Sequence, residues 1–368
     1  MKSNEVLGLI FSDSCASTMT ELTAHRTTAS VPIGGKYRMI DFVLSNLTNS
    51  NVNNVGIIAK SGFMSLMDHI GSGAAWDLSK NHSGVTILPP YSGVTFENKI
   101  ETLHRLRGYI EDAGEDYVLL SESNVIFNVD YTELFYLHSV NKADITLVYK
   151  RMEAPDKFMP VVIEHDNVGQ VEKILIKNEV EGEKNIWLGS LILSKELLLK
   201  LIDEAVSENA FSFSRMIQKT VDKYDVYAYE IPGSVSLISS MNEYYRFNMS
   251  LMDSELRREL FNPDHPIFTK VRDDAPCKYG LTSSVKNSLV SSGCFIEGEV
   301  ENCVISKGVH IAEGAKVSNC IIMQDSEIGK GCNLSYVIID KDVVFKDGIE
   351  LMGVESYPIH IAKKSVID

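Results

Sequence analysis

The sequence predicts an α/β domain on a mainly parallel, Rossmann-like sheet, followed by a C-terminal left-handed parallel β-helix. Three observations carry this. Short β-branched runs alternate with helical patterns up to about residue 255, the signature of parallel strands covered by helices on both faces. A proline-interrupted stretch, FNPDHPIFTKVRDDAPCKYG (261–280), then breaks all periodicity. Beyond it the chain repeats itself every 17 residues. The expected division is residues 1–255 for the α/β domain, 256–284 for a connector and 285–368 for the solenoid.

In the first part, EVLGLIF (5–11), NVGIIA (54–59), YVLLS (117–121) and DITLVYK (144–150) read as strands. ENKIETLHRLRGYIEDA reads as a helix, because Ile100, Leu103, Leu106 and Ile110 recur at helical spacing. Ligands of such sheets bind at the carboxyl ends of the strands. Two of these ends, Phe11 to Thr18 and Ser121 to Asn124, are therefore the places to look for chemistry.

In the last part, NCVISKGVHIAEGAKVS, NCIIMQDSEIGKGCNLS and YVIIDKDVVFKDGIELM follow one another. Ile305, Ile311 and Val317, then Ile322, Ile328 and Leu334, fall six residues apart. Gly308, Gly314, Gly329 and Gly331 stand between them. One apolar residue per hexad predicts a three-sided coil with each such residue pointing inward. Cys303 and Cys320 share a register and should stack as small buried hydrophobes.

Bulk properties narrow the function. At 368 residues there is room for two cores, and 44% hydrophobic with 23% charged residues is ordinary for a globular protein. A net charge of -15 opposes nucleic acid and anionic membranes as partners. With no long apolar run and no recognisable leader, a cytoplasmic protein with reduced thiols is expected. The six cysteines form no CxxC pair and no zinc-spaced cluster. His25, His69, His82, His104 and His138 are scattered without a nucleophile partner. Trp76 and Trp187 read as packing residues.

VPIGGKYRMIDFVLSNLTNS (31–50) resembles, nearly letter for letter, a segment of the ADP-glucose pyrophosphorylases (glucose-1-phosphate adenylyltransferases). The resemblance runs through the whole chain and points to the GlgD-type, non-catalytic branch. The family joins ATP and glucose 1-phosphate into ADP-glucose and pyrophosphate, using Mg²⁺. That chemistry needs amides and a cation around the triphosphate, carboxylates for the metal and a group that holds the sugar phosphate.

Against the family pattern the scaffold residues match and the reactive ones do not. In the phosphate loop Leu22, Thr23 and Arg26 match. The glycine positions hold Asp13, Ser14 and Ala16, the arginine position Thr18 and the lysine position Thr28. The first metal aspartate position is Asn124, preceded by Ser123. The second, in GSVSLISSMNEYYRFNMSLM (233–252), is Leu237, although Gly233, Tyr244, Asn248, Met249 and Leu251 match. Glu122, two residues from Asn124 and on the same strand face, stays open as a substitute carboxylate.

The resemblance implies a sugar-phosphate site at Lys177 and Gly189, and an effector-anion site at Arg26, Lys36 and Arg38. Both arginines are expected near the surface. For Arg38, a structural ion pair with Asp41 stands as the alternative. The overall expectation is a regulatory, catalytically impaired subunit with no cofactor of its own. Its partners would be a catalytic subunit in a heterotetramer and a phosphorylated effector, with room for a homo-oligomer when it is alone. An enzyme of weak or altered activity, and a sugar-phosphate sensor, stay open as other readings.

Overall fold

The computed structural model describes residues 1–14, 18–60, 62–79, 84–89, 98–155, 158–271 and 273–368. Two positions singled out above, Ala16 and His82, lie outside the described residues. The N-terminal part is built on a nine-stranded sheet. Its order is Val171–Ile176, Val161–His165, Lys184–Ser194, Tyr117–Glu122, Val6–Phe11, Asn54–Ile58, Val85–Leu88. The strand Ile145–Met152 also pairs with Lys184–Ser194 and carries Val226–Glu230.

The sheet is mixed, which corrects the expectation of a mainly parallel one. Strands 6–11, 54–58, 85–88 and 117–122 run parallel. Around Lys184–Ser194 every pairing is antiparallel. Connection length accounts for the outermost pair: a short link joins Val161–His165 to Val171–Ile176, and a short link returns the chain antiparallel. All six residues of Val6–Phe11 are buried, as a central strand covered on both faces requires.

The predicted helix around Ile100 forms as two segments, Lys99–Arg105 and Arg107–Asp112, meeting at Leu106. The Asn98 side chain caps it by accepting from the Glu101 amide at 2.9 Å. Ile100, Leu103, Leu106 and Ile110 are all buried against one face of the sheet. The other face is covered by the helix Met39–Asn49, whose Ile40, Val43, Leu44 and Leu47 enter a second core.

The solenoid begins at Lys278, inside the segment read as connector, where Lys278–Tyr279 pairs in parallel with Phe295–Ile296. Its three sheets have six, five and five strands. Coil length varies more than the repeat implies. Glu299 lies over Ser284, and Lys316 over Glu299, then Asn333 and Glu350 follow at the repeat spacing. The last coil is longer, carrying Ile338 onto His360. Ile305, Ile311, Val317, Ile322, Ile328 and Leu334 all point into the interior, as the hexads predict.

A separate apolar cluster joins the two parts. Val304, Ile321 and Ile338 face out of the solenoid and pack with Met39, Phe42, Tyr244, Tyr245 and Leu251. This contact fixes the hairpin Pro32–Ile33 and Tyr37–Arg38 between domain and solenoid. Gly34 and Gly35 turn it with φ of 58° and 77°. A Cβ on Gly35 would sit 2.9 Å from Ser291 Oγ and 3.0 Å from the Ile305 carbonyl oxygen, so only glycine permits this approach.

Candidate functional site

Two clefts frame the functional question. The first, of about 370 Å³, opens at the carboxyl ends of Val6–Phe11 and Tyr117–Glu122. It is lined by Asp13, Ser14, Lys99, Glu122, Asn124 and Leu237, with Trp187, Leu188, Gly189 and Phe213 as its apolar wall.

Its polar groups are already committed to one another. Asp13 Oδ2 accepts from the Lys60 amide at 2.7 Å and from Ser12 Oγ at 3.1 Å. Burial nevertheless holds its carboxyl above the usual range. Glu122 accepts from Lys99 Nζ on one oxygen and from Ser14 Oγ on the other. Lys99 in turn lies 5.0 Å from the Phe11 ring centroid. Thr18, at the arginine position, donates to the Ser239 carbonyl at 2.5 Å.

The two metal positions are adjacent. Ser236–Leu237 pairs antiparallel with Val125–Ile126, placing Leu237 opposite Val125 and beside Asn124. Asn124 Nδ2 donates to the Ile238 carbonyl at 3.1 Å, and its backbone oxygen accepts from the Ile238 amide at 2.9 Å. The backbone frame for two carboxylates is thus kept, and the side chains on it are an amide in structural use and a buried aliphatic. This donor set does not fit a magnesium ion, which wants carboxylate or water oxygens. Glu122, the substitute carboxylate, is engaged on one oxygen by Lys99 and on the other by Ser14.

Gly189 sits at this cleft in a bulge, where the register of Lys184–Ser194 against Ile145–Met152 shifts between Trp187 and Leu191. Its φ is 75°, and a Cβ there would meet Glu122 Cγ at 2.5 Å. The bulge therefore shapes the wall against Glu122. Lys177 is exposed and does not line the cleft. Trp187 is a packing residue, as read, stacked on Phe213 at 6.1 Å, yet it also forms part of the cleft wall.

The second cleft, of about 510 Å³, lies between the hairpin, the connector and the solenoid. Lys36, Arg38, His69, Arg257, Lys270, Lys307 and Lys341 line it, and Asp274 is the one carboxylate among the described lining residues. Arg38 Nη1 donates to the Ser65 carbonyl at 2.6 Å and to its hydroxyl at 3.0 Å. Asp41 accepts from the Arg38 amide at 3.0 Å and takes His69 Nε2 at 2.5 Å. Burial pulls the His69 pKa down. Burial, with Arg38 and Arg26 nearby, also brings Lys341 down to about 7.

Arg26 does not join this cleft. Its Nη2 meets both oxygens of Asp340 at 2.7 and 3.0 Å, and the two side chains are each 4% exposed. The expectation of a surface arginine is corrected: Asp340, brought over by the solenoid, captures it at the joint. Arg38 is buried as well, though it still borders the cleft. Sequence reasoning missed Arg257, Lys270, Lys307 and Lys341. They are far apart in the chain and no local pattern marks them; only docking of the solenoid gathers them.

The matched motif residues serve this architecture. Tyr244 Oη donates to the Pro32 carbonyl at 2.7 Å, and Asn248 Oδ1 accepts from the Gly34 amide at 2.9 Å. They clamp the hairpin, which is why they match while the neighbouring Leu237 does not.

A sheet of this kind with a hexapeptide solenoid docked on it defines a sugar-nucleotide transferase scaffold. The nucleotidyl transferase family model matches residues 8–236, and a model for the GlmU-like C-terminal hexapeptide matches residues 275–357. The chain is 32% identical to the glycogen biosynthesis protein GlgD of Bacillus subtilis (strain 168), over 86% of this chain and 84% of that one. It is 32% identical to GlgD of Geobacillus stearothermophilus, over 85% and 83%. With the glucose-1-phosphate adenylyltransferase of the same organism the identity is 30%, over 84% and 82%. The chain belongs to the ADP-glucose pyrophosphorylase family of glycogen biosynthesis.

Among the described residues, no helix is long and apolar enough to cross a membrane.

Proposed function

We propose that this chain is a regulatory, catalytically impaired subunit of glucose-1-phosphate adenylyltransferase. The observation that carries the proposal is the paired loss at Asn124 and Leu237, adjacent on a preserved backbone frame. Without two carboxylates the developing charge at the reacting phosphorus has no metal to meet it. The committed polar groups around Glu122 and the acidic side chain of Asp13 further disfavour a triphosphate.

Its role is then exerted on a partner. The similarity to the GlgD proteins supports assembly with a catalytic adenylyltransferase subunit, as a heterotetramer. The end strands of the solenoid sheets, at Lys278–Tyr279 and Val366–Ile367, each pair on one side only, which supports assembly through the solenoid. The basic cleft around Lys36, Arg38 and Lys341 supports capture of a phosphorylated effector, since cations on both sides of a joint bind an anion and hold the joint together. ATP and Mg²⁺ act in the partner.

The test is turnover of ATP and glucose 1-phosphate with Mg²⁺, first by the purified chain and then by the chain mixed with a catalytic relative. The expected result is no measurable ADP-glucose from the chain alone and a changed effector response in the mixture. Robust turnover by the chain alone overturns the proposal.

A further inference from the structure

We propose that Cys277 and Cys294 form a redox-sensitive staple where the chain enters the solenoid. Lys278 pairs in parallel register with Phe295, so the residues just before them, Cys277 and Cys294, are neighbours on adjacent coils. Hydrogen bonds pin the backbone on both sides of the pair. The Gly293 amide donates to the Ala275 carbonyl at 2.6 Å, and the Lys278 amide donates to the Cys294 carbonyl at 2.8 Å. Neighbouring strands lie about 4.8 Å apart, inside the roughly 4.4–6.8 Å span of Cα atoms that a disulfide bridges. Both side chains belong to the solenoid interior cluster, Cys294 fully and Cys277 at its margin. The two thiols are therefore turned toward the same space.

Access distinguishes this pair from the other stacked thiols. Cys303 and Cys320 also share a register, with the Cys320 amide 3.4 Å from Cys303 Sγ. Both are 0% exposed and lie within the stack of coils. Cys277 is partly exposed, because its strand ends its sheet and no coil covers it. Reagent reaches Cys277 first. Burial raises the Cys294 thiol to about 11, so little of it is thiolate near neutrality and its resolving attack is the slower step.

The chemistry balances as two exchanges with a low-molecular-weight disulfide, RSSR. The Cys277 thiolate attacks one sulfur of RSSR, forming a mixed disulfide and releasing RS⁻. The Cys294 thiolate then attacks the Cys277 sulfur and expels the second RS⁻. The two protein protons end on the two RS⁻ groups. The dithiol is oxidised by two electrons, and RSSR is reduced to two RSH. The bond would tie the end of the connector to the second coil. Val271 and Asp274, shortly before Cys277, and Ser291 and Ser292, shortly before Cys294, line the basic cleft, so the staple stiffens one of its walls.

The test uses the full chain in a Cys15→Ser background, incubated with oxidised glutathione and then alkylated. Peptide mapping by mass spectrometry is expected to find a 277–294 cross-link that dithiothreitol reverses, with Cys303 and Cys320 still reduced. Cys294→Ser should trap glutathione on Cys277. The oxidised parent should melt at a higher temperature than the reduced one, and Cys277→Ser should abolish that shift. A stable glutathione adduct on Cys277 in the parent, without the cross-link, overturns the proposal. So does equal oxidation of the Cys303 and Cys320 pair, which would show that unfolding, not access, governs reaction.

Discussion

Removing the Arg26 guanidinium tests the joint between domain and solenoid. Asp340 is 2% exposed, and apart from Arg26 its Oδ1 takes the Lys341 amide at 2.6 Å. Arg26→Met leaves this carboxylate buried and largely uncompensated. Breaking one side of a buried pair costs about 3–5 kcal/mol, whereas replacing both sides with apolar groups is often close to neutral. The expected series in urea unfolding is a loss of about 3–5 kcal/mol for Arg26→Met and a similar loss for Asp340→Leu. The double variant should lose far less than the sum of the two. At roughly 2–4 °C per kcal/mol for a large domain, each single variant should melt roughly 10 °C lower. Sulfate binding, measured by calorimetry on the folded fraction, should persist in Arg26→Met and fall in Arg38→Ala. A fully stable Arg26→Met variant that has lost sulfate binding refutes the reasoning, because the arginine would then be facing the anion and not Asp340.

The Lys341 ammonium, held down to about 7, makes sulfate binding to the basic cleft weaken as pH rises through neutrality. Sulfate does not titrate there, so the pH slope belongs to the protein, and Lys341→Met should flatten it. The same depression has a linkage sign. Between about 7 and the ordinary lysine range the unfolded chain holds a proton that the folded chain has released, so this group raises stability as pH increases, measurable by urea melts at pH 7 and 9. Asn124→Asp should stay without turnover in a pyrophosphate-release assay, because Leu237 still faces it; measurable activity would mean that one carboxylate suffices. Gly189→Ala places a Cβ against Glu122 and keeps a positive φ, and should cost about 1–3 kcal/mol in thermal melts.

Much of this molecule was readable in the chain, for identifiable reasons. The solenoid shows itself because every coil buries the same column, so the pattern is local and repeated. The central strands show because both faces are covered and no polar residue interrupts them. Asn124 and Leu237 needed only a register to be read as neighbours of the same strand ends, and the structure sets them side by side. The antiparallel half of the sheet was less visible, because Lys184–Ser194 reads as one apolar run whichever way it pairs. Arg26 was misplaced for a deeper reason. Its partner Asp340 comes from a distant part of the chain, and one aspartate on a solenoid has no marker of what it will touch. The basic cleft likewise exists only after docking.

The outward column Val304, Ile321 and Ile338 carries one more consequence. Three similar sides of a prism offer three ways to lay it on a surface. Here the side that meets the domain is greasy, with Leu289 at its foot, while the side bearing Glu299, Glu301 and Lys316 is charged. Greasiness on one side acts as a key that selects one rotational setting. Transplanting Val304, Ile321 and Ile338 to the charged side should turn the prism by a third of a revolution, and with it carry Asp340 away from Arg26 and Lys341 away from Arg38. The repeat is thus not interchangeable along its circumference, even where its inward-facing letters are.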